Sequence, residues 1–185
     1  MTIERLIPGS FRAQTALERE LASEPALLAG LAWGLPRPGH PEGSVGSHVG
    51  DILAAITEPP GRRCNELRFL ALVHDCFKRQ VWPGAAYTPE NDHAVLARRF
   101  AERYTADLRL LDALELHDEP YRIWRTRTDD GRAALRTLLA RIPDLELFLR
   151  FVELDGSTAG KDPRPLAWLR SVVAAQPASG LVLAA

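Results

Sequence analysis

His74 and Asp75 are the pair of residues in this sequence that points most directly to chemistry. They lie in the segment 67–81, whose hydrophobic residues occupy nearly every side of a helix, which predicts that the helix is buried. Burying an ionised carboxylate beside an imidazole is costly unless a cation compensates it. The pair therefore indicates a metal ion, or alternatively a core histidine bonded to a carbonyl with Asp75 paired to an arginine.

Two further residues stand where a metal ligand could lie. His48 is near the start of a predicted helix in SVGSHVGDIL, and Asp155 ends the apolar segment LELFLRFVELDG. A carboxylate at the C-terminal end of its own helix faces a negative dipole, so it favours a nearby cation. Together with His74 and Asp75, these residues offer nitrogen and oxygen ligands that suit a divalent metal. Such a metal polarises a phosphoryl oxygen and lowers the pKa of a coordinated water, which is the chemistry of hydrolysis.

The order of His48, His74-Asp75 and Asp155 resembles the H…HD…D signature of the HD superfamily of metal-dependent phosphohydrolases. The run HPEGSVGSH, which ends at His48, is similar to the start of the HD domains attached to bacterial tRNA nucleotidyltransferases and poly(A) polymerases. HDCFK resembles the HDxxK of many members. The resemblance, which covers about residues 40–165, implies that the four signature residues bind metal.

Lys78 follows the HD pair at the position of the HDxxK lysine. The resemblance implies that Asp75 and Lys78 are catalytic and that Lys78 contacts a substrate phosphate. On a continuous helix Lys78 would lie one turn beyond His74, where its ammonium group could reach phosphate oxygens near a metal. The alternative is that Lys78 marks the helix end and extends into solvent.

His93 and His117 lie between the HD pair and Asp155. Their order resembles the H…HD…H…H…D pattern of the superfamily members with two metals, which implies that they hold a second ion. In members with one metal they could instead position phosphate or a general acid, and His117 as imidazolium would also suit a helix C-terminus. His117-Asp118 is a second HD dipeptide, which we interpret as a decoy because it lacks the buried apolar flank.

Arg79 and Lys161 are predicted to bind substrate together with Lys78. Most of the 23 basic residues are expected to be solvated. The loop that carries Lys161, GSTAGK, follows a predicted helix rather than a strand and lacks the spacing of a P-loop. Tyr121 and Trp124 could stack on a base, although core packing is the simpler expectation for Trp124.

Hydrolysis of a phosphate monoester or diester, on a nucleotide or related metabolite, is the function that the sequence predicts. The cofactor would be one or two divalent ions of manganese, iron, cobalt, nickel, zinc or magnesium. One alternative is a di-iron oxygenase that uses the same six ligands. Another is a non-catalytic HD module that binds a nucleotide or regulates a partner.

The elements that must position these residues are helices, since apolar residues recur with helical spacing and β-branched alternation is nearly absent. The prediction is an all-α, compact multi-helix HD-type bundle that forms a single domain over 1–185. Pro, Gly and Asp residues bound most segments. The predicted helices are one or two within 11–33, then 47–57, 65–81 with Asn65 as its cap, 90–104, 106–117, 131–140, 143–154 and 164–175, with a loop over 34–46 and no clear helical face in the last ten residues.

Composition narrows the possible partners. With 23 Lys and Arg against 24 Asp and Glu, the net charge of −1 offers no field that would recruit nucleic acid or an anionic membrane. Two cysteines, Cys64 and Cys76, are too few for a disulfide framework and fit no zinc spacing. The N-terminal residues lack a signal-peptide pattern and no segment is apolar enough to span a bilayer, so a cytoplasmic location is expected.

Overall fold

Helices, with two 3-10 turns included, account for about 61% of the residues that the structure describes. The structure, a computed structural model, describes residues 2–9, 11–126 and 130–175. Within those residues the β pairing consists of the isolated Arg37–His40 bridge, so the all-α prediction is confirmed. The helices are α1 (Ile3–Leu6), α2 (Ala16–Leu21), α3 (Pro25–Leu31), α4 (Val45–Ala55), α5 (Arg62–Val73), α6 (His93–Ala101), α7 (Leu108–Leu116), α8 (Glu119–Thr126), α9 (Gly131–Leu139), α10 (Leu145–Gly156) and α11 (Arg164–Ala174).

Side-chain caps define where the helices that carry the site begin. Ser44 accepts a hydrogen bond from the Ser47 amide at the start of α4, and Asp92 accepts one from the Ala94 amide at the start of α6. Asp107 and Asp144 cap α7 and α10 in the same way. These bonds satisfy amides that have no partner within the helix, which explains why the predicted boundaries lie within a few residues of the observed ones.

α5 differs from its prediction at both ends. It begins after Gly61, so Asn65 is an interior residue rather than a cap, and it ends at Val73 rather than Val81. Beyond Val73 the backbone forms tighter i to i+3 hydrogen bonds, including one from the Lys78 amide to the Asp75 carbonyl. A 3-10 turn over Lys78–Gln80 follows. Cys76 and Phe77 are as buried as the helix itself, so hydrophobic periodicity could not locate this end.

α5 lies at the centre of the bundle and contacts α4, α7 and α10. Every residue from Leu67 to Val73 is buried, as predicted for this apolar segment. One hydrophobic cluster extends from Ile3 in α1 to Val172 in α11. The last ten residues lie outside the described ones, and a single domain over 1–185 stays a prediction.

Two short helices were not predicted. α1 is a single turn, and α8 begins at Glu119, directly after the predicted helix 106–117 and in a stretch for which no helix was predicted. Proline is tolerated in the first turn because its missing amide would have had no partner within the helix there. None of the described helices is long and apolar enough to cross a bilayer.

Candidate metal centre

The ends of five helices bring six predicted ligands together. α4 contributes a histidine from its first turn, and α6 contributes one from its first position. His74 and His117 directly follow the last residues of α5 and α7, and Asp75 comes after His74. α10 contributes an aspartate from its last turn. All six side chains are at least 85% buried. The residues are His48, His74, Asp75, His93, His117 and Asp155.

The carboxylate of Asp75 stands between two pairs of histidines. Its Oδ2 lies 3.4 Å from His74 Nε2 and 3.9 Å from His48 Nε2, whereas its Oδ1 lies 3.4 Å from His93 Nε2 and 3.8 Å from His117 Nε2. Asp75 with His48 and His74, and Asp75 with His93 and His117, are two groups whose ligand atoms lie within 4.8 Å of one another. Each group could hold a metal ion, and the two groups share Asp75.

Asp155 approaches the first of these groups. Its Oδ1 lies 2.8 Å from His48 Nε2 and 3.8 Å from His74 Nε2. The four residues of the H…HD…D pattern, which are up to 107 positions apart in sequence, therefore meet in space.

Backbone carbonyls orient two of the histidine rings. His74 Nδ1 lies 3.0 Å from the Ala71 carbonyl oxygen, and His117 Nδ1 lies 2.7 Å from the Leu114 carbonyl oxygen. A carbonyl only accepts hydrogen bonds, so Nδ1 is the donor in each ring. In the neutral ring the Nε2 lone pair then faces Asp75, which is the tautomer that a metal-binding histidine needs.

Several ligand atoms of the cluster are buried without a hydrogen-bond partner. They include Nε2 of His74, Nε2 of His93 and Oδ1 of Asp75. An unsatisfied buried polar group costs about 1–3 kcal/mol, so native structures rarely leave several together without a reason. Nitrogen and carboxylate oxygen atoms that converge in this way fit a divalent cation, and the donor set contains no thiolate.

Two lysines neutralise the carboxylates of the cluster. Lys78 Nζ lies 2.6 Å from Asp75 Oδ2, and Lys161 Nζ lies 2.6 Å from Asp155 Oδ1. Burial alone would raise the pKa of each carboxyl. His74 and Lys78 nevertheless hold the pKa of Asp75 well below its usual range, and Lys161 with His48 does the same for Asp155. Both side chains are therefore ionised near neutral pH, as ligands must be.

Lys78 approaches the cluster from a 3-10 turn rather than from a continuous helix. The predicted position one helical turn beyond His74 is wrong, because α5 ends at Val73 and the 3-10 turn begins at Lys78. The side chain still points back to the cluster and lines a cavity of about 470 Å³ beside it, as does Lys161. Arg79, the third residue predicted to bind substrate, is exposed and is not part of the cavity wall.

Asp118 belongs to the cluster, although we interpreted its dipeptide as a decoy. Its carboxylate oxygens lie 3.5 Å from His93 Nε2 and 3.8 Å from His117 Nε2, and it lines the same cavity. A buried apolar flank is typical of the middle of a helix, so its absence at His117-Asp118 does not exclude a ligand at a helix end. The site is instead built from helix ends, and the repeated HD dipeptide was the signal that could have identified Asp118.

Glu42 is a second residue that the sequence did not single out. Its Oε1 lies 3.4 Å from His48 Nδ1 and 3.0 Å from His40 Nδ1, and its side chain is only 7% exposed. The carboxylate is close to the far nitrogen of His48 but forms no hydrogen bond with it, and a carboxylate in that position favours the ring orientation that a metal ligand needs. The signal was the position of Glu42 in HPEGSVGSH, within a segment predicted only as a loop.

Replacing Glu42 with alanine should weaken metal binding by about 10- to 100-fold, since His48 would lose the group that orients its ring. Glu42→Gln keeps the size of the side chain and an oxygen beside His48 Nδ1, so it should lose less. Competition with a chelating dye measures the affinities, and Glu20→Ala, at an exposed position in α2, is the control. Equal affinities for Glu42→Ala and the wild type would contradict this role.

The stability of the metal-free protein should depend on the protonation of His117. Burial disfavours the imidazolium, but Asp118 and Asp75 raise the pKa of His117 to about 9. Because the folded-state pKa exceeds the unfolded value of about 6.5, this stabilisation is fully present below pH 6.5 and is lost as the pH rises through 9.

Thermal unfolding of metal-free protein should therefore show a falling melting temperature between pH 7 and 9.5. Metal affinity should rise over the same interval, because the ion competes with a proton for His117 Nε2. His117→Gln should flatten both profiles. A melting temperature of the wild type that does not change over this range would contradict the assignment.

In comparisons with protein-family models, curated proteins and solved structures, no match to this chain was found.

Proposed function

We propose that this chain is a metal-dependent phosphohydrolase of the HD superfamily that acts on a phosphate monoester or diester, such as a nucleotide. The observation that carries the proposal is the position of Asp75, whose two carboxylate oxygens face two different pairs of buried histidines. A carboxylate shared in this way is suited to two adjacent ions. Two-metal sites recur in phosphatases and nucleases.

One ion would be held by His48, His74, Asp75 and Asp155, and a second by Asp75, His93 and His117. Manganese, iron, cobalt, nickel, zinc and magnesium all accept ligands of these types to differing degrees. When bound, such ions polarise a phosphoryl oxygen and lower the pKa of a water molecule.

The lysines supply positive charge at the cavity beside the ligands. Lys78 and Lys161 line this cavity and are paired with Asp75 and Asp155 in the metal-free protein. Once those carboxylates coordinate a cation, both ammonium groups become available to substrate phosphate oxygens. Asp118 lines the same cavity and is placed to accept a proton from the reacting group or to return one.

Metal analysis combined with a hydrolysis assay tests the proposal. Protein stripped with a chelator and reloaded with each candidate ion should bind about two ions and hydrolyse p-nitrophenyl phosphate, bis-p-nitrophenyl phosphate or a member of a nucleotide panel. His93→Ala should lower the stoichiometry to about one ion. His74→Ala should lose the ion that His48 and Asp155 share.

Two results would favour the alternatives. Metal binding without hydrolysis of any phosphate ester would indicate a non-catalytic module. Oxygen consumption by the iron-loaded protein, without hydrolysis, would indicate a di-iron oxygenase.

A further inference from the structure

The cavity beside the metal centre has two different walls. One wall is ionic, with Lys78, Lys161 and Asp155. The other is apolar and forms where α8, α10 and α11 meet; its side chains include Val152, Leu166 and Leu169. Ligand cavities usually combine an apolar surface with a few polar groups that fix orientation.

The apolar wall begins immediately beside a predicted metal ligand. Val152 lies three residues before Asp155 in α10, so the two share a helix face. Leu166 packs on Gly156, the residue that follows Asp155: a Cβ at Gly156 would lie 3.0 Å from Leu166 Cγ and Cδ1. The absence of a side chain at position 156 therefore allows Leu166 to approach the ionic wall closely.

The lysines of the cavity lie beside the predicted metal ligands Asp75 and Asp155. The fixed cations of the cavity are Lys78 and Lys161, and among the residues that the structure describes no arginine contributes to its wall. Arg122, a basic residue of the neighbouring α8, forms salt bridges with Asp92 and Glu119. Beyond the ionic wall the described lining consists mainly of aliphatic side chains, with His40, Tyr121 and the carboxylates of Asp118 and Asp162 among them. A chain of further phosphates would therefore meet no additional lysine or arginine there.

On the basis of the proposed function, we propose that the substrate carries a single phosphoryl group joined to an uncharged, largely apolar group that packs against Leu166 and Leu169. In the reaction, water adds to phosphorus and the P–O bond to the organic group breaks. Inorganic phosphate and the organic alcohol are released, and a proton from the water ends on the leaving oxygen. Inorganic polyphosphates are poor ligands of this cavity.

Calorimetric titration of metal-loaded protein with non-hydrolysable phosphonates tests this inference independently of turnover. Benzylphosphonate should bind at least about 10-fold more tightly than methylphosphonate, since its ring is buried against the leucines. Imidodiphosphate should bind more weakly than benzylphosphonate. Leu166→Gln should abolish the preference for the benzyl group while retaining the affinity for methylphosphonate.

Leu108→Gln makes the same change at an exposed leucine of α7 and should retain the preference. Leu166→Ala, which introduces no polar group, should reduce the preference for benzylphosphonate over methylphosphonate. It replaces Leu166→Gln in the test if the glutamine variant does not fold. Equal affinity for the two phosphonates, or tighter binding of imidodiphosphate, would overturn the inference. A preference for benzylphosphonate in a protein that hydrolyses no ester would support the ligand class while refuting the proposed function.

Discussion

Replacing Asp75 with asparagine should abolish both metal sites at once. The variant keeps the shape of the side chain but removes the charge that both groups of histidines share. On the proposed function, we expect hydrolysis to fall by at least about 1,000-fold, since metal ions contribute several kcal/mol of transition-state stabilisation. Metal analysis and the hydrolysis assay on the same preparation measure the two effects together.

Asp51→Asn, at an exposed position in α4, is the matched control and should retain both ions and full activity. Retention of one tightly bound ion by Asp75→Asn would show that the carboxylate is not shared. His93→Ala separates the two possibilities further, because it should remove only the ion on the Oδ1 side of Asp75.

Gly30→Ala should be among the most damaging single-methyl changes in the protein. A Cβ at Gly30 would lie 2.0 Å from the carbonyl oxygen of Cys76, which is backbone and cannot rotate away. Either α3 or the turn that follows α5 must move, at a cost of about 1–3 kcal/mol or more. Because Cys76 directly follows Asp75, metal affinity should fall together with stability.

Denaturant unfolding and metal titration measure these two quantities for Gly30→Ala. Gly131→Ala provides the comparison, because its nearest atoms would lie 3.8 Å from the new Cβ. Alanine at that helical position should change stability little or raise it by up to about 1 kcal/mol. If both variants were equally stable, the close packing of α3 on this turn would not determine the position of Asp75.

The sequence predicted the fold class and most helices because its local signals agree. Proline, glycine and capping aspartates bound segments whose apolar residues recur with helical spacing, as in α6, which begins directly after Asp92. Local signals did not locate the C-terminal end of α5, because Cys76 and Phe77 are buried although the helix has already ended. Its position depends on contacts such as that between Gly30 and Cys76, which are distant in sequence.

At the candidate site, too, local sequence signals could be used for prediction, whereas contacts between distant residues could not. The predicted ligands could be found because histidine and aspartate are conspicuous in apolar segments, and the structure brings all six together. Glu42 and Asp118 were missed because their relation to the histidines exists only after the helix ends have converged. The apolar wall of the cavity could not be predicted either, since the sequence around Leu166 and Leu169 is that of ordinary core residues in a helix.

The lysines on Asp75 and Asp155 also bear on how the protein would acquire its metal. Each tethered ammonium group acts as an internal counterion, so folding does not leave two bare carboxylates in the interior. Small zinc domains, by contrast, remain unfolded until the ion arrives. Loading of the proposed site would instead be an exchange of cations in a protein that has already folded, in which the incoming ion displaces ammonium groups that stay attached to the chain.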